Sequence, residues 1–244
     1  MTFPSIFITG TGTGVGKTIV GSAILYYWSS LGLFPRVMKP LESACISGLH
    51  FPSDAITLRN AASDLRSLDQ ICPYRYKSPL APLYAAEIEG NHIDYSKILA
   101  MISELKSYKG PVIIEGCGGL MVPLTPEIQV IDLIKDSGLD LVIISSLGLG
   151  CLNHTQLTLR TAESKGIRVS GIILNDVDGD HDVSKKRNPQ AIKELCSAPL
   201  IGVFPFIPDL VNEDSDSNKK NGDLKRKEKL ISATSSLDLE KLKI

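Results

Sequence analysis

Residues 5–18 read SIFITGTGTGVGKT, and this stretch decides the fold. The apolar run Ile6–Thr9 breaks into a glycine-rich loop, Gly10–Thr18, and the helical pattern Lys17–Leu31 follows. Strand, glycine-rich loop and helix in that order form a cradle for polyphosphate. Glycines let backbone N–H groups approach phosphates closely, and the helix N-terminus adds positive partial charge. Lys17 can reach the β- and γ-phosphates, and the Thr18 hydroxyl can join a Mg2+ shell. Thr11 stands where the common motif has its first glycine, and Gly10 precedes Gly16 with five residues between them, so the loop is one residue longer than usual.

Outward from the loop, apolar runs at Arg36–Lys39, Val112–Glu115, Leu141–Ser145 and Val169–Asn175 alternate with helical patterns. These cover Asp54–Ala61, Tyr95–Lys106, Ile128–Asp136, Leu152–Lys165 and Asn188–Cys196. Runs that are apolar almost throughout predict strands buried on both faces. The alternation predicts an α/β, P-loop NTPase-like fold, with a mostly parallel sheet and helices on both faces. Ligand-binding loops then leave the C-terminal strand ends. Residues 66–90, with Pro73, Pro79 and Pro82, read as a long excursion without regular structure. Asn212–Lys229 is polar and charged and reads as a solvated segment. Leu237, Leu239, Leu242 and Ile244 then give a weak amphipathic pattern, able to dock on the body or fray. One domain over 1–211 and a charged tail over 212–244 are expected.

At 244 residues, 43% hydrophobic and 22% charged, the chain suits one generous α/β domain. That length buries a core without disulfides or structural metal. A net charge of −1 gives no reason to expect nucleic acid or an acidic membrane as partner. Cys45, Cys72, Cys117, Cys151 and Cys196 are scattered and never at CxxC spacing, which points to reduced thiols in a cytosol. Met1–Ser5 runs directly into the first strand without a secretory pattern, and Leu139–Leu149 is too short and too polar to span a membrane. A soluble, cytoplasmic protein is expected.

Several polar residues close these strands. Glu115 ends its strand before Gly116-Cys117-Gly118-Gly119, and an acid held beside phosphate needs a cation. Asp54, after Pro52-Ser53, suits either a metal ligand or a helix cap. Lys39 closes the second strand before Pro40 and points either to the phosphate edge or outward as a snorkelling lysine. Ser43 adds a hydroxyl at that edge.

The segments GTGTGVGKT, KPLES (39–43), SDAI (53–56), EGCGGLMVPL (115–124), GCLNH (150–154) and ND (175–176) occur in this order. As a set they closely resemble the dethiobiotin synthetase family, over residues 3 to about 210, and the long phosphate loop is a mark of that family. The resemblance implies ATP- and Mg2+-dependent carboxylation of 7,8-diaminononanoate with CO2 or bicarbonate. Ring closure follows through a carbamate and a carbamic-phosphoric mixed anhydride, in a cytoplasmic homodimer with sites at the subunit interface. It implies catalytic roles for Lys17, Lys39 and Ser43, and Mg2+ held by Thr18, Asp54 and Glu115. ATP falls to Thr13, Gly14, Val15, Gly16, Lys17 and Thr18, with the adenine between Asn175 and Pro205-Phe206-Ile207. The substrate falls to Thr13, Lys39, Ser43 and Gly118, and its carboxylate to the helix start Gly150-Cys151-Leu152-Asn153 of the partner subunit. A turn role for Asn175 and a cap role for Asn153 are the plain alternatives, and His154 reads as structural.

The sequence departs from the family pattern in places. By the resemblance, Gly12 stands where many relatives have an aspartate and Gly14 where some have a glutamate, and Ala44 replaces a common glycine. Lys185–Ile192 offers no tyrosine to the substrate carboxylate, with Asn188 the remaining donor. Asn175-Asp176-Val177-Asp178 has the N-x-x-D spacing that GTP-binding proteins use to read guanine, so ATP preference with measurable use of other triphosphates is expected. A turn role for Asp178 is the alternative. The nearest rival, a partition- or septum-positioning ATPase, carries an early loop lysine where this chain has Gly12. An amidotransferase synthetase would need a further glutaminase domain. A non-enzymatic binding module leaves Lys17, Thr18, Asp54 and Glu115 without a purpose.

Overall fold

The computed structural model describes residues 4–45, 52–208 and 219–242. Its strands are β1 (Ser5–Gly10), β2 (Arg36–Met38), β3 (Leu41–Glu42), β4 (Tyr74–Arg75), β5 (Val112–Glu115), β6 (Asp140–Ser146), β7 (Val169–Asn175) and β8 (Leu200–Phe204). Six of them form one parallel sheet in the order β2-β5-β1-β6-β7-β8, while β3 and β4 pair separately. The helices are α1 (Lys17–Ser30), α2 (Ser53–Ala62), α3 (Leu68–Ile71), α4 (Pro82–Ile88), α5 (Tyr95–Lys106), α6 (Val130–Ser137), α7 (Cys151–Ser164), α8 (Val183–Leu195) and α9 (Lys219–Ala233).

The near-continuous apolar runs are explained by two cores, one on each face. Successive strand side chains point to opposite faces. Phe7, Ile114, Ile143 and Ile172 therefore meet Ile98 and Ile102 of α5, Ile131 and Ile134 of α6, and Leu159 of α7. Ile6, Ile8, Ile113, Ile144 and Ile173 pack instead with Val20 and Ile24 of α1 and Leu58 of α2. Each fully buried side chain of this size contributes about 1.5–3 kcal/mol. Strand order reverses at β1, between β5 and β6, and such a reversal is where open α/β sheets bind ligands. No helix among the described residues is long and apolar enough to cross a membrane.

Three features depart from the sequence pattern. Residues 66–90 carry regular structure: α3 with a Ser67–Gln70 capping box, the pairing strand β4, and α4 with Pro82 in its first turn. Strand β8 escaped the sequence pattern because Gly202 interrupts it and Pro199 and Pro205 flank it. Asn212–Lys229 stays solvated where its side chains are described, residues 223–229 being exposed or half-buried, but its end is helical. Residues 212–218 lie outside the described residues, but 219–233 form α9 and bury Leu230 and Ala233 against the α1 face. Leu237, Leu239 and Leu242 are buried in the same core, Ile244 lying outside the described residues. Asp238 donates its amide to the Ile201 carbonyl at 2.8 Å, and Leu237 bridges Gly202, so this segment covers the exposed edge of β8.

Candidate active site

The loop after β1 leads into α1, whose start has no capping side chain and leaves its first amides free for a ligand. Gly16 caps α1 at φ 85°, and a Cβ there would collide with the Asn175 side-chain amide. Asn175 ends β7, is buried, and donates Nδ2 to the Val15 carbonyl at 2.9 Å. One asparagine therefore ties the end of β7 to the phosphate loop. Lys17 Nζ reaches back over the loop to the Gly12 carbonyl at 3.0 Å. Burial lowers its pKa from the ordinary 10.5, and the nearby Lys39 acts in the same direction, against the pull of Glu115.

Adjacent strand ends bring the charged groups together. Lys39, following β2, lies beside Glu115, the last residue of β5, at Nζ–Oε1 2.6 Å, and beside Asp54 of α2 at 3.0 Å. Thr18 Oγ1 donates to the same Glu115 Oε1 at 2.9 Å. Lys39 is almost wholly buried, so it is no snorkelling surface lysine. Burial alone would lower its pKa, but Glu115 and Asp54 outweigh that and hold the ammonium well above the usual lysine range. Glu115 Oε2 is buried without a hydrogen-bond partner among the described residues, an arrangement that costs free energy unless something satisfies it.

A cavity of about 650 Å3 opens over these groups, lined by Thr13, Gly14, Gly16, Lys17, Thr18, Lys39, Ser43, Asp54 and Gly118. Nine residues singled out in the sequence thus share one space, with Glu115 directly beneath. Val15 is buried in the loop and does not line it. Gly150, Cys151, Leu152 and Asn153 at the start of α7 lie outside it, as do Asn175 and Pro205-Phe206-Ile207. Cys151 is buried, while Leu149 before it is 88% exposed. The Phe206 ring lies against Gly179, on the loop that follows Asn175.

Asp54 does not cap its own helix; α2 has Pro52 as N-cap residue, with no side-chain cap. That duty falls to Glu42, inside the KPLES segment, where nothing in the sequence pattern marks it. Its buried carboxylate accepts the Asp54 amide at 3.0 Å and the Ala55 amide at 2.9 Å. Burial pushes the Glu42 pKa up, against the pull of Lys39 and the two amides. Ala44 on the cavity wall has φ 61°, the left-handed region that favours glycine. Asn188 is buried, and its Nδ2 serves the Leu147 and Gly148 carbonyls at 2.7 and 3.0 Å. In this arrangement it braces the loop before α7 and is no free donor.

A family model described as an AAA domain matches residues 4–214. Relatives that carry the name ATP-dependent dethiobiotin synthetase BioD match most of the chain. The one from Thermodesulfovibrio yellowstonii is 42% identical over 85% of this chain and 90% of its own. Those from Anaeromyxobacter sp. strain K and Bacillus velezensis are 39% and 37% identical, over 84% and 86% of this chain and 91% and 90% of theirs. Among solved structures, chloroplast FtsY from Physcomitrella patens superposes with TM-score 0.49 at 15% identity, over 84% of this chain and 59% of that one. With this degree of identity along nearly their whole length, the chain belongs to the ATP-dependent dethiobiotin synthetase family.

Proposed function

We propose that the chain carboxylates 7,8-diaminononanoate with CO2 and closes the ureido ring with ATP to give dethiobiotin, in the cytoplasm. The observation that carries this reading is the convergence of Lys17, Lys39, Thr18 and two carboxylates on one cavity beside the phosphate loop. One substrate amine adds to CO2 and becomes a carbamate. A carbamate oxygen attacks the γ-phosphorus, ADP leaves, and a mixed anhydride results. The second amine then attacks the carbonyl carbon and expels phosphate, closing the ring. Such phosphoryl transfer asks for positioning and charge neutralisation above all. Lys17 serves the transferred phosphate. Lys39, kept as an ammonium by Glu115 and Asp54, faces the same cavity with Ser43 and holds the carbamate.

Thr18, Asp54 and Glu115 make an oxygen-only donor set, gathered around Lys39 at the cavity floor, of the kind a divalent cation takes. No cluster of three His, Cys, Asp or Glu ligands lies among the described residues, but Mg2+ takes only one or two carboxylates besides phosphate oxygens and water. When bound, Mg2+ would neutralise phosphate charge and polarise the γ-phosphoryl group. The adenine is placed between Asn175 and Phe206. The start of α7, exposed at Leu149 and outside its own chain's cavity, is assigned to the substrate carboxylate of a partner subunit in a homodimer. Helix-start amides suit a carboxylate.

Lys39→Met tests the central role. Product formation should fall about 100- to 1,000-fold, the range for loss of one transition-state donor, while ATP binding persists. Unchanged turnover would remove Lys39 from the chemistry.

A further inference from the structure

Lys185, in the first turn of α8, is buried, and no role has been given to it so far. Its ammonium lies 2.7 Å from Asp176 Oδ1 and hydrogen-bonds Asp178 Oδ1 as well. The same Asp178 oxygen accepts the Asp180 amide at 3.0 Å. Asp178 is otherwise half exposed, three residues beyond Asn175 and next to Gly179, on which the Phe206 ring rests. Its carboxylate therefore borders the place proposed above for the base.

We infer that Lys185 sets the purine selectivity of this enzyme by holding Asp178 away from guanine, an inference that rests on that placement of the base. Guanine presents two donors on one edge, N1–H and the 2-amino group. A carboxylate reads them by giving one oxygen to each. Here Oδ1 already accepts from two donors, and the neighbouring ammonium repels a donor edge. Adenine presents a lone pair at N1 and no donor at C2, so it needs no carboxylate there and is not repelled. The N-x-x-D spacing is thus present in the chain, but its acid is locked. The ATP preference expected from the sequence stands, but the use of other triphosphates expected from this spacing does not follow, because Asp178 is occupied and Lys185 is the residue to change.

The test compares kcat/KM for ATP and GTP in the synthetase reaction with diaminononanoate and bicarbonate. Lys185→Met should shift the ratio toward GTP by about tenfold or more, the scale of one bidentate base contact. Adding Asp178→Asn should erase the gain. If Lys185→Met does not fold, Lys185→Gln serves, because glutamine keeps a polar group for Asp176 but cannot span both carboxylates. Phe206→Ala separates the two layers of the inference. An unchanged ratio in both Lys185 variants, with a raised KM for ATP in Phe206→Ala, overturns the lock and leaves the base where it was placed. If Phe206→Ala also leaves the KM for ATP unchanged, the base placement falls and the lock with it.

Discussion

At Gly10 an added methyl group would meet Val15 Cγ2 at 2.7 Å, the Gly12 carbonyl at 2.8 Å and Lys17 Nζ at 3.0 Å, whereas at Gly12 it would meet nothing within 4 Å. Two glycines of one loop thus carry opposite expectations. Gly10→Ala should displace Lys17 and weaken ATP binding at least about tenfold, the effect of 1.4 kcal/mol. Gly12→Ala should keep ATP binding and stabilise the fold by about 0.4–1 kcal/mol, because the unfolded chain loses freedom and no contact is strained. ATP titration and urea midpoints on the two variants check both halves. Equal loss of binding in the two would contradict this reading of the loop. At this scale the loop motif made Lys17 and Thr18 readable and the strand end made Glu115 readable, while position alone left Lys39 and Asp54 open between two roles each. The sequence was silent on Glu42 and Lys185, whose partners lie on other elements.

At the scale of elements, α2 is held by an acid outside itself. Glu42 on β3 takes the first amides of α2, and Asp54 in that first turn reaches Lys39. Glu42→Ala should cost about 1 kcal/mol of stability, as for loss of a helix cap. The proposed metal role of Asp54 adds a second consequence. The Mg2+ concentration needed for half-maximal activity should rise, and Glu42→Gln, which keeps one acceptor, should restore part of it. A stability loss with no change in Mg2+ requirement would leave Glu42 a cap and nothing more. Strands β1, β5, β6 and β7 could be read because their side chains are apolar on both faces. Elements β3, β4 and α4 could not, since two-residue strands have no period and Pro82 disguises a helix start as a turn. Helix α8 extends further toward its N-terminus than the sequence pattern shows, as Pro189 lies inside it and its first half is polar.

Over the whole molecule, the C-terminal segment is part of the core. Leu242 is 1% exposed, and the segment from Leu237 covers the β8 edge. Leu242→Ala should cost about 2–5 kcal/mol, the range for a truncated core leucine. Ending the chain before α9 should also uncover an edge strand and promote association. Urea unfolding and light scattering read the two effects, and a truncated chain of unchanged stability would show the segment to be dispensable. Its charge-rich composition hid this, because the few apolar residues are spaced over two short turns and one helix rather than along one stripe. The proposed sharing of sites between two chains concerns the whole molecule, because the start of α7 lies outside the lining of its own chain's cavity. All of it depends on the cavity between the phosphate loop and Lys39 being a place where a carbamate meets ATP. The direct measurement is phosphate release from ATP by the purified chain with Mg2+, with diaminononanoate and bicarbonate supplied together or each left out. Release that needs both and matches dethiobiotin formed one for one is the predicted result. Release that proceeds equally well without the diamine would contradict it.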